Sequence, residues 1–234
     1  RSCHENCFAL HREQMHVPLH AYETRSQALA RPLSDAPPPS RWVLPLTPAK
    51  WSCRIDASPL LAPEPTPGVG FEDASTWERI DLPCSLECAD GVAARPWYTN
   101  TIYPFPLDPP RVPTAHNHAA SFQTSFDVPA SWRGRRVYLQ LDGVESCCTA
   151  WIDGRLVGYS QDSRLPCEFE VTEQLSGDNR THTLSVQVLR WCDGSYLEDQ
   201  DTWWLSGIHR HVRLLSKPAA LAIRDFAVTT DVAD

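Results

Sequence analysis

Residues 149–160, "TAWIDGRLVGYS", set Asp153-Gly154 between two apolar runs. Asp-Gly tolerates the positive φ of a two-residue hairpin turn, so this stretch predicts two antiparallel strands joined tightly. Outward from it the same period of two recurs. "SFQTSFDV" (121–128) places Phe122, Thr124, Phe126 and Val128 on one face, "RVYLQL" (136–141) does so with Val137, Leu139 and Leu141, and "TLSVQVLR" (183–190) with Leu184, Val186 and Val188. These read as half-buried antiparallel strands. A further pair is expected in "HVRLLSK" (211–217) and "LAIRDFAV" (221–228), broken at Pro218. Six or more short strands without helical period describe an all-β chain, a β-sandwich or jelly roll. Twenty-one prolines argue the same way against a helical bundle, since each removes a donor and fixes φ.

Residues 1–40 read as an extended N-terminal arm, with Pro37 to Pro39 a stiff connector. Residues 41–82 hold the short apolar runs "WVLPL" and "WSCRI" and the proline-laden "SPLLAPEPTPG", expected as a surface loop. The sandwich occupies 41–217, and a new unit begins at 218.

The net charge of −8, with no basic run interleaved with aromatics, argues against a nucleic-acid backbone as partner. No stretch approaches the roughly 18 apolar residues of a membrane span, and "RSCHENCFALHREQMHV" (1–17) is too polar for a signal peptide. The chain starts without Met, so an upstream piece stays open. Nine cysteines form an odd, irregular set without CxxC, which favours a reduced, cytoplasmic protein. Cys3/Cys7 and Cys84/Cys88, with His4 and His11 nearby, come within reach of zinc patterns but lack a clean second pair. Cys147 and Cys148 point to opposite sides of a strand, so one thiol is expected in the core.

"SYLEDQDTWWLSGIHRHV" (195–212) crowds Glu198, Asp199, Gln200 and Asp201 against Trp203 and Trp204. Carboxylates beside flat rings suit a sugar, whose hydroxyls need acceptors and whose C–H face needs an aromatic plane; a solvated loop is the alternative. Glu198 and Asp199 are expected to pair with Arg190 or Arg210, and both tryptophans to bury against the sandwich. Arg164, between Asp162 and Glu168, reads as a buried bridge. Gly207 supplies turn freedom, and His209 and His211 alternate on a strand but lack a third metal ligand. Asn100 in "YTN" reads either as a turn residue before a strand "TIYP" or as an amide that orients a hydroxyl. No G-x-S-x-G, P-loop or G-x-G-x-x-G is present.

"RPWYTNTIYPFPLDPPRVP" (95–113), "DGVESCCTAWIDGRLVGYSQDSRLPCEFEVT" (142–172) and "VLRWCDGSYLEDQDTWWLSGIHRHVRLL" (188–215) together resemble the N-terminal sugar-binding domain of the large bacterial-type β-galactosidases of glycoside hydrolase family 2. The resemblance implies a jelly-roll, galactose-binding-like β-sandwich, with residues 218–234 opening a truncated immunoglobulin-like domain. It further implies a later barrel that supplies the two catalytic carboxylates of a retaining hydrolysis of terminal β-D-galactose, so that no catalytic residue lies in this chain and the chain alone is inactive. Asp201 matches a carboxylate that binds sodium and a galactosyl hydroxyl, and Asn100 an amide that contacts substrate. Magnesium ligands would lie in the barrel, the substrate would be a β-galactoside such as lactose, and the full enzyme a homo-oligomer. Trp204 and Thr101 depart from the family pattern. A stand-alone carbohydrate-binding module, or a sibling β-glucuronidase or β-mannosidase, remains the alternative; "YTN" and "EDQD" favour the galactosidase.

Overall fold

The computed structural model describes residues 9–30, 40–92, 94–177 and 180–231. Cys3, His4, Cys7 and Pro37 to Pro39, and any reading placed on them, lie outside that set. Along the described chain run β1 (Ala9–Leu10), α1 (Arg25–Leu29), β2 (Val43–Pro45), β3 (Ala49–Asp56), β4 (Glu78–Leu82), β5 (Trp97–Thr99), β6 (Ala119–Asp127) and β7 (Arg136–Leu141). There follow β8 (Val144–Glu145), β9 (Cys147–Ile152), β10 (Arg155–Gln161), β11 (Cys167–Glu170), β12 (Thr181–Leu189), β13 (Thr202–Trp204), β14 (Gly207–Ile208) and β15 (Val212–Lys217).

The Asp-Gly hairpin forms as its sequence requires: Ile152 pairs with Arg155, and Asp153 and Gly154 take φ of 49° and 67°. It sits inside a seven-stranded antiparallel sheet of order β1-β10-β9-β12-β6-β3-β4, which packs on a four-stranded sheet of order β11-β7-β15-β2. Trp51, Phe122, Ile152, Leu184 and Val186 from the first meet Leu139, Leu141, Phe169, Val212 and Leu214 from the second in one core cluster. Each such side chain, withdrawn from water, contributes about 1.5–3 kcal/mol. The alternating residues expected to face inward do so.

The strands are less half-buried than their alternation suggests. On β7 the outward residues Tyr138 and Gln140 are buried too, because the arm and the Lys217 side chain at the end of β15 cover that face. Glu13 N bonds Glu168 O at 2.8 Å, His16 Nε2 and Lys217 Nζ lie 3.5 and 2.6 Å from Glu168 Oε1, and the Lys217 ammonium sits over the Tyr138 ring. The proline-laden 58–68 segment is the surface loop expected, and with residues 69–72 it lies as a lid over the larger sheet. Phe71 is buried against Trp77 and Trp151, its N–H donates to Gln123 Oε1 at 2.7 Å, and Gln187 Nε2 donates to Pro63 O at 3.1 Å. A polar sheet face rich in Ser, Thr and Gln needs such partners as much as an apolar face needs a core.

Two other expectations change. "LAIRDFAV" forms no strand: its backbone pairs with none among the described residues, and Leu221, Ile223, Phe226 and Val228 are exposed. Cys147 and Cys148 are both buried, Cys148 in the main core and Cys147 in a second cluster with Tyr159, Leu189 and Cys192 on the opposite face.

Candidate functional site

At one end of the sandwich β5 and β13 pair antiparallel as a separate two-stranded ribbon, with Trp97 opposite Trp204, Tyr98 opposite Trp203 and Thr99 opposite Thr202. Asn100 follows β5 and Asp201 precedes β13, each one residue beyond the Thr99–Thr202 pair, so this register brings the "YTN" and "EDQD" segments to one end of the ribbon across 101 positions of sequence. Tyr98 and Trp203 share one side of the ribbon, and the Tyr98 hydroxyl reaches Asp201 there. No "TIYP" strand follows Asn100; the strand precedes it. Asn100 is exposed and its amide is without a partner among the described residues. Asp201 is exposed, and its Oδ1 accepts a hydrogen bond from the Tyr98 hydroxyl. That bond, with some desolvation and the carboxylate charge, raises the Tyr98 phenol above its ordinary value, which keeps it a donor.

The ribbon's other side is anchored. Trp204 is buried, packs edge-on against Trp191 at 5.3 Å, and donates from Nε1 to Thr99 Oγ1 at 2.6 Å. Phe105 and Trp191 complete that cluster, with Tyr103 and Tyr196 against it. Trp203 does not bury as expected. It is 54% exposed, its ring 5.5 Å from that of Tyr98, itself 52% exposed. Adjacent strand residues face opposite ways, so one tryptophan of the pair had to point outward.

The acidic loop is held by partners other than those expected. Glu198 accepts from Ser163 N at 2.8 Å and Ser163 Oγ at 2.6 Å, and not from Arg190 or Arg210. Arg190 donates to Arg95 O and lies over Trp191, and Arg210 donates to Arg164 O at 2.6 Å. Arg164 is half exposed and pairs with Glu145 at 2.7 Å, not with Asp162 or Glu168. Burial pushes the Glu145 carboxyl up to about 7, against the pull of Arg164. Behind the loop, Glu87 accepts from Ser206 N and Oγ at 2.7 Å each, and His118 Nε2 meets Ser206 Oγ at 2.7 Å. Burial and Arg190 hold the His118 ring down at about 4, so it is neutral near pH 7.

Residues 209–211 link β14 and β15, and His211 Nδ1 bonds Thr47 Oγ1 at 3.2 Å, whereas both ring nitrogens of His209 are buried without a partner. Among the described residues no group of three or more His, Cys, Asp or Glu side chains gathers as a metal cage. Gly207 has the left-handed φ, 115°, that its sequence position suggested, but it lies in β14 opposite Glu145 and not in a turn. A groove of 490 Å³ lined by Val128, Trp132, Arg133 and Arg180 opens beyond the C-terminal end of β6 and shares no residue with the ribbon. Sequence reasoning missed Tyr98, Glu87, His118 and Ser206. For Tyr98 a signal existed, since "Y-T-N" at period two puts its side chain on the face of Asn100.

The exposed constellation is therefore an amide, a carboxylate held by a phenol, and two aromatic faces. It can donate to and accept from hydroxyls and present flat apolar surface, which is chemistry for binding and orientation.

Residues 48–218 match the family model described as Glycosyl hydrolases family 2, sugar binding domain. The chain is 42% identical over 223 residues to a β-galactosidase of Psychromonas ingrahamii, an alignment that covers 95% of this chain and 20% of that protein. It is 43% identical over 232 residues to a β-galactosidase of Aeromonas hydrophila, covering 96% and 21%. The chain thus spans about a fifth of the length of these curated relatives. Among solved structures, a Bacteroides uniformis β-glucuronidase superposes with a TM-score of 0.53 at 18% identity, covering 75% of this chain and 18% of that one. A β-D-glucuronidase of Dictyoglomus thermophilum gives 0.53 at 15% identity, covering 82% and 30%. At these identities the likeness is one of fold.

Proposed function

The chain belongs to glycosyl hydrolase family 2, whose sugar-binding domain it carries, and from that premise we propose that it forms the substrate-side rim of a β-galactosidase active site. The observation that supports this best is the β5–β13 register, which brings Asn100 and Asp201 to the same end of one ribbon, the Asn100 amide without a partner among the described residues and Asp201 held through Oδ1 alone. The full-length protein would hydrolyse terminal β-D-galactose, from lactose for example, with retention. Its acid/base and nucleophilic carboxylates would come from outside this chain. Asn100 both donates and accepts, so it orients a hydroxyl; the second oxygen of Asp201 accepts from another.

A sodium ion fits part of this donor set. Asp201 Oδ2 is a hard oxygen, which suits an alkali cation, with the remaining ligands supplied by other parts of the protein, while Asn100 is kept for a sugar hydroxyl. When bound, sodium would supply a fixed positive charge beside the sugar hydroxyls. Magnesium finds no comparable group among the described residues, and we assign it no ligand in this chain. Homo-oligomerisation and a cytoplasmic location complete the reading; the latter is supported by buried thiols outside any disulfide at Cys53, Cys147, Cys148, Cys167 and Cys192.

Steady-state kinetics on the full-length protein across a sodium titration test the proposal. Asp201→Ala should raise KM and weaken activation by sodium, since a charge-assisted hydrogen bond contributes about 1.5–3 kcal/mol. Asn100→Ala should cost substrate affinity and leave the sodium dependence nearly intact. Wild-type galactoside kinetics and sodium activation in Asp201→Ala would leave that carboxylate a solvated loop charge. The isolated 234-residue chain should not turn over a chromogenic β-galactoside.

A further inference from the structure

Tyr98 faces the same side of the ribbon as Asp201 and stands diagonally across from it: it is opposite Trp203, and Asp201 is two residues before Trp203. Diagonal neighbours on one face lie about 7–8 Å apart, within reach of an aromatic side chain. The phenol crosses that gap and donates to Asp201 Oδ1, while the Trp203 ring packs beside it. Directly behind, Trp204 and Thr99 pin the two strands together through the ribbon's buried side. An exposed ring held at both its edge and its hydroxyl, on a ribbon that does not slide, is a brace.

The geometry assigns Tyr98 as a positioning residue that fixes the Asp201 carboxylate before a sugar arrives, an assignment resting on the reading of Asp201 as a substrate contact. By occupying Oδ1, the hydroxyl selects one rotamer of Asp201 and leaves Oδ2 to the ligand. An unbraced carboxylate would lose its rotamer freedom only on binding, and that loss would weaken ground state and transition state alike. The effect belongs in KM and not in kcat. Phenylalanine keeps the ring against Trp203 and removes only the donor.

The test is a double-mutant cycle on the full-length protein with Tyr98→Phe, Asp201→Ala and the two combined, read in KM and kcat for a chromogenic β-galactoside. Tyr98→Phe should raise KM by about two- to tenfold, the size of one net hydrogen bond, with kcat within about twofold of wild type. In the Asp201→Ala background it should add nothing, because there is no carboxylate left to hold. Wild-type KM in Tyr98→Phe, beside a raised KM in Asp201→Ala, would overturn the positioning role and leave the Asp201 contact standing. An undiminished Tyr98→Phe effect in the Asp201→Ala background would also overturn it, since the ring would then act independently. An Asp201→Ala enzyme with wild-type KM would remove the contact itself, and the brace with it. On the isolated chain, the wild-type minus Tyr98→Phe difference in tyrosinate absorbance should titrate later than the same difference measured in Asp201→Ala. Coincident curves would show that the two side chains are not bonded.

Discussion

Trp204 Nε1 donates to Thr99 Oγ1 at 2.6 Å, and this bond joins the buried aromatic cluster to the strand that ends in Asn100. The tryptophan's role here is structural. Thr99→Val keeps the shape and leaves the indole N–H without an acceptor, at a cost of about 1–3 kcal/mol. Trp204→Ala should cost about 3–5 kcal/mol through the cavity it opens beside Trp191. Chemical denaturation of the two variants checks the ordering.

A lid that rests on a hairpin makes a sharper demand on Gly154. A Cβ there would come within 1.9 Å of the Thr66 carbonyl oxygen, and Gly68 N already bonds Asp153 O at 2.7 Å. Gly134 has a similar positive φ but open space around it. Gly134→Ala should therefore cost only the left-handed backbone penalty of about 1–2 kcal/mol. Gly154→Ala should cost more and expose the 58–72 segment to limited proteolysis.

Acid stability should depend on two neutral histidines. His118 and His209 are both held at about 4, chiefly by burial, against 6.5 for a free ring. The folded protein binds these protons more weakly than the unfolded chain. Their contribution is therefore complete above pH 6.5 and lost as pH falls towards 4, with His118 worth up to about 3 kcal/mol. His209 has no partner at either nitrogen, so His209→Phe should flatten that limb without lowering stability at pH 7.5. Denaturation midpoints between pH 4 and 7.5 provide the comparison.

Glu145 runs the other way. Its folded value of about 7 lies above the usual 4.5, so the folded state holds this proton more tightly. The stabilisation is present below pH 4.5 and lost as pH rises through 7. Glu145→Gln should gain on wild type across that window, and Arg164→Gln should steepen the wild-type loss by removing the guanidinium 2.7 Å away. The same pH series, read as differences between variant and wild type, separates this carboxyl from the histidines.

Strand and turn were legible from local pattern. Asp153-Gly154 and the alternation of Phe122, Leu139 and Leu184 specify a two-sheet sandwich because turn conformation and side-chain period act within a few residues. Asn100 and Asp201 were named through resemblance, and "YTN" already held Tyr98 at the right period. Partner choice was another matter. Glu198 went to Ser163, Arg164 to Glu145, and Trp203 outward to Tyr98, although nearby arginines and a core stood ready in the sequence. Charge and aromaticity state what a side chain can bond, and many residues satisfy that condition.

By itself, then, the sequence determined an all-β sandwich, its hairpin, its inward faces and the kinship of its polar motifs. Tertiary structure alone decided that the strands flanking Asn100 and Asp201 pair, that Tyr98 braces the carboxylate, and that the arm and the 58–72 segment cover the outer sheet faces. Those features depend on pairing between segments tens to a hundred residues apart. A one-residue slip in β5 against β13 would turn Tyr98 and Asp201 to opposite faces, and no local pattern in either segment forbids it.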